Sequence, residues 1–179
     1  MKGSLKIVVF ICALFLSSCK TEESGVKYEK NVAWRYSNAE IDDSSESYKD
    51  VLDTMDKAEY YFQKAEYGKA KKLFIKVYKS KKALWKEKAF ACARIAKIFD
   101  MDEKTDEAKK WFEKGMKIEK ERGTFVVKNV GLFLEKHRYY RDAYKLYSAV
   151  LKRKNLSDAE FRYFKQRKEA MRVLVQFNM

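Results

Sequence analysis

Apolar residues recur three and four positions apart from about Tyr48 onward, and the sequence contains no proline. This spacing places apolar side chains along one side of an α-helix, whereas a half-buried β-strand needs alternation at every second residue. Proline interrupts helices more strongly than any other residue, so its absence permits long helical runs. The sequence therefore predicts an all-α domain over residues 48–179.

Small and large residues also recur along the predicted helices. The alanines Ala70, Ala108 and Ala143 lie 38 and then 35 residues apart. In the first helix of each copy, a small residue (Ala58, Ala96 or Gly131) is followed by a large one (Tyr61, Phe99 or Leu134). In the second helix, an aromatic residue (Phe74, Phe112 or Tyr147) is followed by a small or apolar one (Val77, Gly115 or Val150). A small side chain lets two helices approach, and a large neighbour fills the space beside it. The pattern predicts helix pairs that stack on one another.

This pattern resembles the tetratricopeptide repeat over about residues 48–153. The resemblance implies a short α-solenoid of about three helix pairs at 51–80, 89–121 and 124–154. Two features depart from the family, because the proline that usually ends each repeat is missing and the linker "YKSKKALWKEK" is longer. The turn inside the first pair is expected near Tyr67 and Gly68.

Residues 157–177 are predicted to form a last helix that covers the third pair. Ser157 and Glu160 have capping-box spacing, in which each side chain bonds the backbone of the other residue. The apolar residues that follow recur at helical spacing: Phe161, Phe164, Met171, Leu174 and Val175. A stack of this kind needs such a terminal helix to bury its last apolar face.

The first twenty residues, "MKGSLKIVVFICALFLSSCK", have the composition of an export signal. Lys2 and Lys6 precede an apolar run over residues 7–16 that is too short to span a membrane. Its end, "LSSC", resembles the lipobox of bacterial lipoproteins. The resemblance implies a signal peptide at 1–18, cleavage between Ser18 and Cys19, and palmitate and other acyl groups on Cys19. An ordinary signal peptide ending in a chance cysteine is the alternative.

Lipid on Cys19 would anchor the protein to a membrane of the cell envelope without spanning it. By resemblance to the sorting pattern of enteric bacteria, Lys20 favours the outer membrane over the inner membrane. Residues 19–47 have no sustained apolar period and are predicted to form a flexible tether. Trp34 and Tyr36 are its exceptions, and docking of these two side chains on the domain is an alternative to a partly ordered linker. The sequence thus predicts a signal peptide, a tether and a helical domain.

Neither an enzyme nor a cofactor is expected. The glycines are isolated and form no phosphate-binding loop. Cys92 falls at a position expected to be buried, and no histidine is near it in sequence to activate its thiol. The one histidine, His137, is expected in a solvated turn, so no metal site is predicted. In "KHRYYRDAYKLY" the pattern places Tyr140 and Tyr147 in the core.

Three functions remain open, and the first is a scaffold that binds a protein partner in a groove. The alignment of the three repeats assigns nine residues to this groove: Leu52, Met55, Phe62, Phe90, Lys97, Asp100, Lys128, Leu132 and Glu135. The second is binding of an acidic ligand, such as anionic lipid, polysaccharide or an acidic protein, by a basic patch formed by Lys76, Lys79, Lys81, Lys82, Lys86, Lys88, Lys152, Arg153 and Lys154. The third is a solute-binding accessory of a transporter.

The formal net charge of +14 supports the second function, since clustered cations attract anionic partners. Nucleic acid is not an expected partner, because an exported lipoprotein rarely meets any. A lysine-rich composition without a specific ligand is an equally open interpretation.

Overall fold

A computed structural model of the chain describes residues 46–177. The predicted signal peptide, Cys19 and most of the predicted tether lie outside the described residues. Within them the chain forms seven α-helices and no strand: α1 Glu46–Gln63, α2 Tyr67–Lys79, α3 Trp85–Met101, α4 Thr105–Glu119, α5 Phe125–Lys136, α6 Tyr140–Val150 and α7 Asp158–Phe177. The prediction of an all-α, repeat-like fold is confirmed. None of these helices is both long enough and apolar enough to cross a membrane.

Helices that follow one another in sequence pack together, and α3 also packs against α5. The helix α3 is the centre of the domain, because residues 89–93 are all buried. One apolar cluster joins α3, α4 and α5, and a second lies beneath α7 and includes Tyr147, Phe164 and Met171. The last helix therefore covers the third pair.

The three helix pairs share one turn geometry. Ala65, Glu103 and Arg138 all have positive φ values, of 57°, 60° and 60°. Each of the next residues donates its backbone N–H to a carbonyl five positions earlier, as in a Schellman motif. These three turns have the same spacing as the recurring alanines, so the three copies are equivalent in backbone as well as in sequence.

The turn of the first pair lies two to three residues before the predicted position near Tyr67 and Gly68. The left-handed residue is Ala65, whereas Gly68 lies inside the first turn of α2 and has no positive φ. The prediction is wrong because it uses glycine as the signal of the turn. Left-handed backbone favours glycine but does not require it, and here the hydrogen bonds of the turn hold a residue with a side chain there.

The recurring small residues lie where the predicted packing needs them. Ala58, Ala96 and Gly131 are buried in the first helices, and the alanines of the second helices are fully buried as well. In the third pair Gly131 lies directly against the ring of Tyr147. Helix approach in that pair therefore depends on the absence of a side chain at residue 131.

The capping box at the start of α7 is confirmed. The Ser157 backbone N–H donates to Glu160 Oε2 over 3.1 Å, and the Glu160 backbone N–H donates to Ser157 Oγ over 3.3 Å. Glu160 also accepts a hydrogen bond from Thr124 Oγ1 and lies 3.5 Å from Lys128 Nζ. A single carboxylate thus caps α7 and attaches it to α5.

The stability of the domain is expected to depend on pH through Glu160. Burial would raise its pKa, but hydrogen bonds from Thr124 and Ser157 outweigh burial and lower the pKa from 4.5 to about 2. The unfolded chain therefore binds this proton more readily, so the contribution is present above pH 4.5 and is lost as pH falls toward 2. Urea unfolding at pH 6 and pH 3 should show a larger loss of stability in the wild type than in Glu160→Gln. An equal loss in the two proteins would contradict the assignment.

Candidate functional site

The helices α1, α3, α5 and α7 run parallel and are joined side by side. Tyr48 of α1 donates to Glu87 of α3 over 2.9 Å, and further along the same two helices Arg94 pairs with Glu59. Phe90 of α3 contacts Phe125 of α5, and further along the same two helices Asp100 contacts Lys136. We call the side chains at the outer surface of this row the odd-helix face: Leu52, Phe62, Arg94, Lys97, Met101, Phe125 and Leu132.

A row of flat groups crosses three helices of this face. The Arg94 guanidinium lies 5.0 Å from the ring centre of Phe62 and 4.9 Å from that of Phe90. Phe90 in turn stacks on Phe125, with ring centres 4.8 Å apart and planes at 22°. Cation–ring contacts and stacked rings both hold a fixed geometry. The row therefore forms one connected layer from α1 to α5, in which Phe90 lies beneath the surface.

Arg94 is fixed at its other side by Glu59. Its Nε and Nη2 donate to the two carboxylate oxygens over 2.8 Å and 2.9 Å. Such a two-point contact restricts the guanidinium plane as well as its position. Burial raises the pKa of Glu59, and the charge of Arg94 acts in the opposite direction. The pair orients the cation between its two rings.

Two further carboxylates join neighbouring odd-numbered helices. Asp100 of α3 accepts a hydrogen bond from Lys136 Nζ over 2.8 Å and lies 2.6 Å from His137 Nε2. Burial would raise the pKa of Asp100, but the hydrogen bonds from Lys136 and His137 lower it below its usual value. Glu135 of α5 pairs with Arg167 of α7, with Nε to Oε1 at 3.0 Å. These ion pairs fasten α3 to α5 and α5 to α7.

The structure separates the nine predicted groove residues into three groups. Met55 is fully buried and Phe90 is 8% exposed, so both belong to the core and the prediction that a partner contacts them directly was wrong. Asp100, Lys128 and Glu135 are committed to ion pairs between helices. Leu52 and Phe62 are half-buried, and Lys97 and Leu132 are exposed. All nine belong to α1, α3 and α5.

The most exposed apolar part of the face was not fully predicted. Phe125 and Leu132 are 38% and 49% exposed, and they are seven residues apart on one side of α5. Sequence reasoning missed Phe125, Met101 and the cation Arg94. The spacing of Phe125 and Leu132 is a signal that could have found the first of these, but nothing local in the sequence indicates the position of Arg94.

Six of the nine residues of the predicted basic patch line two separate clefts, and Lys81, Lys86 and Lys88 line neither of them. Lys76, Lys79 and Lys82 line a cleft of about 430 Å³ between α1 and α2. Lys152, Arg153 and Lys154 line another of about 670 Å³, with Met116 and Leu146 among its apolar residues. Arg153 also donates to the Gly123 carbonyl over 2.8 Å and so has a structural contact. The structure does not bring the two groups together in one site.

Cys92 and His137, the two residues considered for a catalytic or metal-binding role, both pack into the fold. Cys92 is fully buried, and burial raises the pKa of its thiol to about 12, so the reactive thiolate is strongly disfavoured. His137 lies at the end of α5 as predicted, but its side chain is only 24% exposed, because it contacts Asp100 and packs on Phe133. Residues 46–177 contain no group of three or more side chains positioned to hold a metal ion.

The fold and this face define a protein of stacked helix pairs closed by a terminal helix, in which the first helix of each pair contributes to a common surface. No family model, curated protein or solved structure matches the chain.

Proposed function

We propose that this chain is a lipid-anchored scaffold of the bacterial cell envelope that binds an apolar segment of a partner protein on its odd-helix face. The anchor is the acylated Cys19 of the sequence "LSSC", and the helix pairs are related to tetratricopeptide repeats. The protein has no catalytic activity of its own in this proposal, and the outer membrane is the favoured location.

The observation that carries the proposal is the exposed apolar pair Phe125 and Leu132 on one side of α5, which Arg94 and the buried Phe90 connect to Phe62 of α1. Exposed apolar side chains scattered singly need no explanation, but a contiguous apolar surface with a rigid support indicates a binding site. Aromatic and arginine side chains are also the residues that contribute most to protein interfaces. Here the rings of Phe90 and Phe125 and the Arg94 guanidinium are held in place before any partner binds.

The acidic side chains beside the odd-helix face favour the binding of an apolar segment over that of a basic one. Glu59, Asp100 and Glu135 are each paired with a cation of a neighbouring helix. A basic partner would have to displace these pairs, whereas an apolar segment can lie on Phe125 and Leu132 without breaking them. Exposed Lys97 lies near the ring of Phe62, where it can meet a carboxylate at the edge of such a segment.

Crosslinking in native membranes tests the proposal, followed by binding measurements with the purified partner. The variants Phe125→Asp and Leu132→Asp are expected to weaken binding of the same partner by at least about tenfold, or about 1.4 kcal/mol, because each places a charge in the apolar contact. A Cys19→Ala variant should lose membrane attachment but keep the affinity of the face.

Phe161→Asp is the matched control. Phe161 is 45% exposed, but it lies on the side of α7 opposite Tyr163, which contacts α5. The control is expected to bind the partner normally. Unchanged affinity in both Phe125→Asp and Leu132→Asp would show that the partner binds elsewhere.

A further inference from the structure

The second helix carries the most one-sided charge in the described part of the chain. Residues 67–86 contain eight lysines and neither aspartate nor glutamate. The helix α2 buries Ala70, Phe74 and Val77 against its neighbours, so its opposite side faces solvent. We call the six exposed lysines there and in the following loop the α2 lysine face: Lys69, Lys72, Lys76, Lys79, Lys81 and Lys82.

This charge distribution differs from that of the other solvent-exposed helix surfaces. On α4, Asp106, Glu107 and Glu113 alternate with lysines, so charges of both signs share one helix. Within the α2 lysine face, Lys69 pairs with Glu66, and the remaining five have no acidic partner within their own segment. Like charges at this density raise the local potential and attract a polyanion.

One exposed apolar residue accompanies the cations. Leu84, in the loop that follows Lys81 and Lys82, is 39% exposed although it precedes the buried part of α3. In the cleft between α1 and α2, Lys76, Lys79 and Lys82 outnumber the single carboxylate, that of Asp50. A surface that combines lysines with apolar groups suits the boundary between lipid headgroups and acyl chains, where both kinds of contact are available.

We propose that the α2 lysine face binds the anionic surface of the bilayer to which the chain is anchored. This inference rests on the proposed lipid anchor, because a tethered domain stays within reach of the headgroups. Each lysine near an anionic leaflet contributes about 1 kcal/mol, and the contribution decays within a Debye length. The lysines lie on the solvent side of α2 and at the cleft that it forms with α1, and none of them belongs to the odd-helix face. Binding in this manner therefore leaves the odd-helix face open to a partner.

The test uses the lipidated full-length product, purified from its own membranes and reconstituted into vesicles. One set of vesicles contains phosphatidylcholine alone, and the other contains one part of phosphatidylglycerol to two of phosphatidylcholine. The rate at which each lysine is acetylated by a soluble reagent is measured by mass spectrometry. Flotation of the protein with each set of vesicles reports the anchor independently.

Lysines of the α2 face are expected to react at least about threefold more slowly on anionic vesicles than on neutral ones. Protection should disappear at about 1 M salt, where the Debye length is about 3 Å. Lys97 and Lys136 on the odd-helix side are internal controls and should react equally on both. The double variant K72E/K79E should lose the protection of Lys76 and Lys82, whereas the matched variant K104E/K110E, at two exposed lysines outside the α2 lysine face, should retain it.

The outcomes separate the two proposals. A protein that floats with both vesicle types but shows no composition-dependent protection keeps its anchor and overturns the role of the lysine face. Equal protection on neutral and anionic vesicles also overturns it, because other parts of the protein then cover the lysines. Flotation with anionic vesicles alone supports the lysine face and contradicts the anchor, and flotation with neither overturns both.

Discussion

Replacing Gly131 with alanine is expected to lower the free energy of unfolding by about 1–3 kcal/mol, the typical cost of overpacking a core contact. A Cβ at this position would lie 2.6 Å from both Cε1 and Cζ of Tyr147, and the hydroxyl oxygen of Tyr147 would be closer still. Tyr147 cannot move aside easily, because it is fully buried, packs on Phe164 and donates to Glu135. Urea unfolding followed by circular dichroism measures the loss.

Gly68→Ala is the matched control for this substitution. Both glycines lie in helices and neither has a positive φ, but a Cβ at residue 68 would have no atom within 4 Å. The control is expected to stabilise the protein by up to about 1 kcal/mol, since alanine loses less entropy in a helix. In a double-mutant cycle, Gly131→Ala should cost much less when Tyr147 is already leucine. Equal effects of the two glycine substitutions would refute the packing account.

Removal of the Glu119 carboxylate is expected to destabilise the domain by about 2–3 kcal/mol, as for buried hydrogen bonds to a charged group. Glu119 is 2% exposed at the end of α4, and its oxygens accept hydrogen bonds from the Val126 amide over 3.0 Å and 3.1 Å and from the Val127 amide over 3.3 Å. It thereby supplies the cap of α5 that Thr124 does not provide with its own side chain. A carboxylate at a helix N-terminus also interacts favourably with the helix dipole.

The variants Glu119→Ala and Glu119→Gln should form a graded series. Alanine leaves the two buried amides without acceptors, whereas glutamine keeps one carbonyl oxygen, so the loss with glutamine should be smaller. Hydrogen exchange at Val126 and Val127 should accelerate more than exchange elsewhere in α5. Glu113→Ala, at an exposed position of the same helix, should change stability by less than about 0.5 kcal/mol. Indistinguishable stabilities of Glu119→Ala and Glu113→Ala would remove the capping role.

The Gly131 prediction concerns packing within the third helix pair, the Glu119 prediction concerns the joint between the second and third pairs, and both matter for the proposed scaffold. Each pair buries only part of its apolar surface, so the face exists only while neighbouring pairs stay in register. Glu119 fixes the start of α5, and Gly131 with Tyr147 fixes the distance between α5 and α6. Variants at these positions should weaken partner binding only through unfolding, whereas Leu132→Asp should weaken it in a folded protein.

Much of the fold could be predicted because its signals are local. The helical period and the Ser157–Glu160 box each involve residues within a few turns of one another, and the alanines repeat the same local pattern at intervals of 38 and 35 residues. The buried positions Ala70, Phe74 and Ala143 follow from this period alone. The turn at Ala65 shows where such reasoning fails, since the left-handed conformation is fixed by hydrogen bonds of the turn and not by a glycine.

The sequence by itself thus determined the helices, their buried sides and the order in which they stack. Only the tertiary structure decided which residues of different helices meet: Arg94 with Phe62 and Phe90, Asp100 with Lys136 and His137, and Glu135 with Arg167. The physical reason is that a helical period fixes the direction of a side chain on its own helix. The axial offset between two helices depends on how all their contacting side chains interdigitate, and no local pattern contains that information.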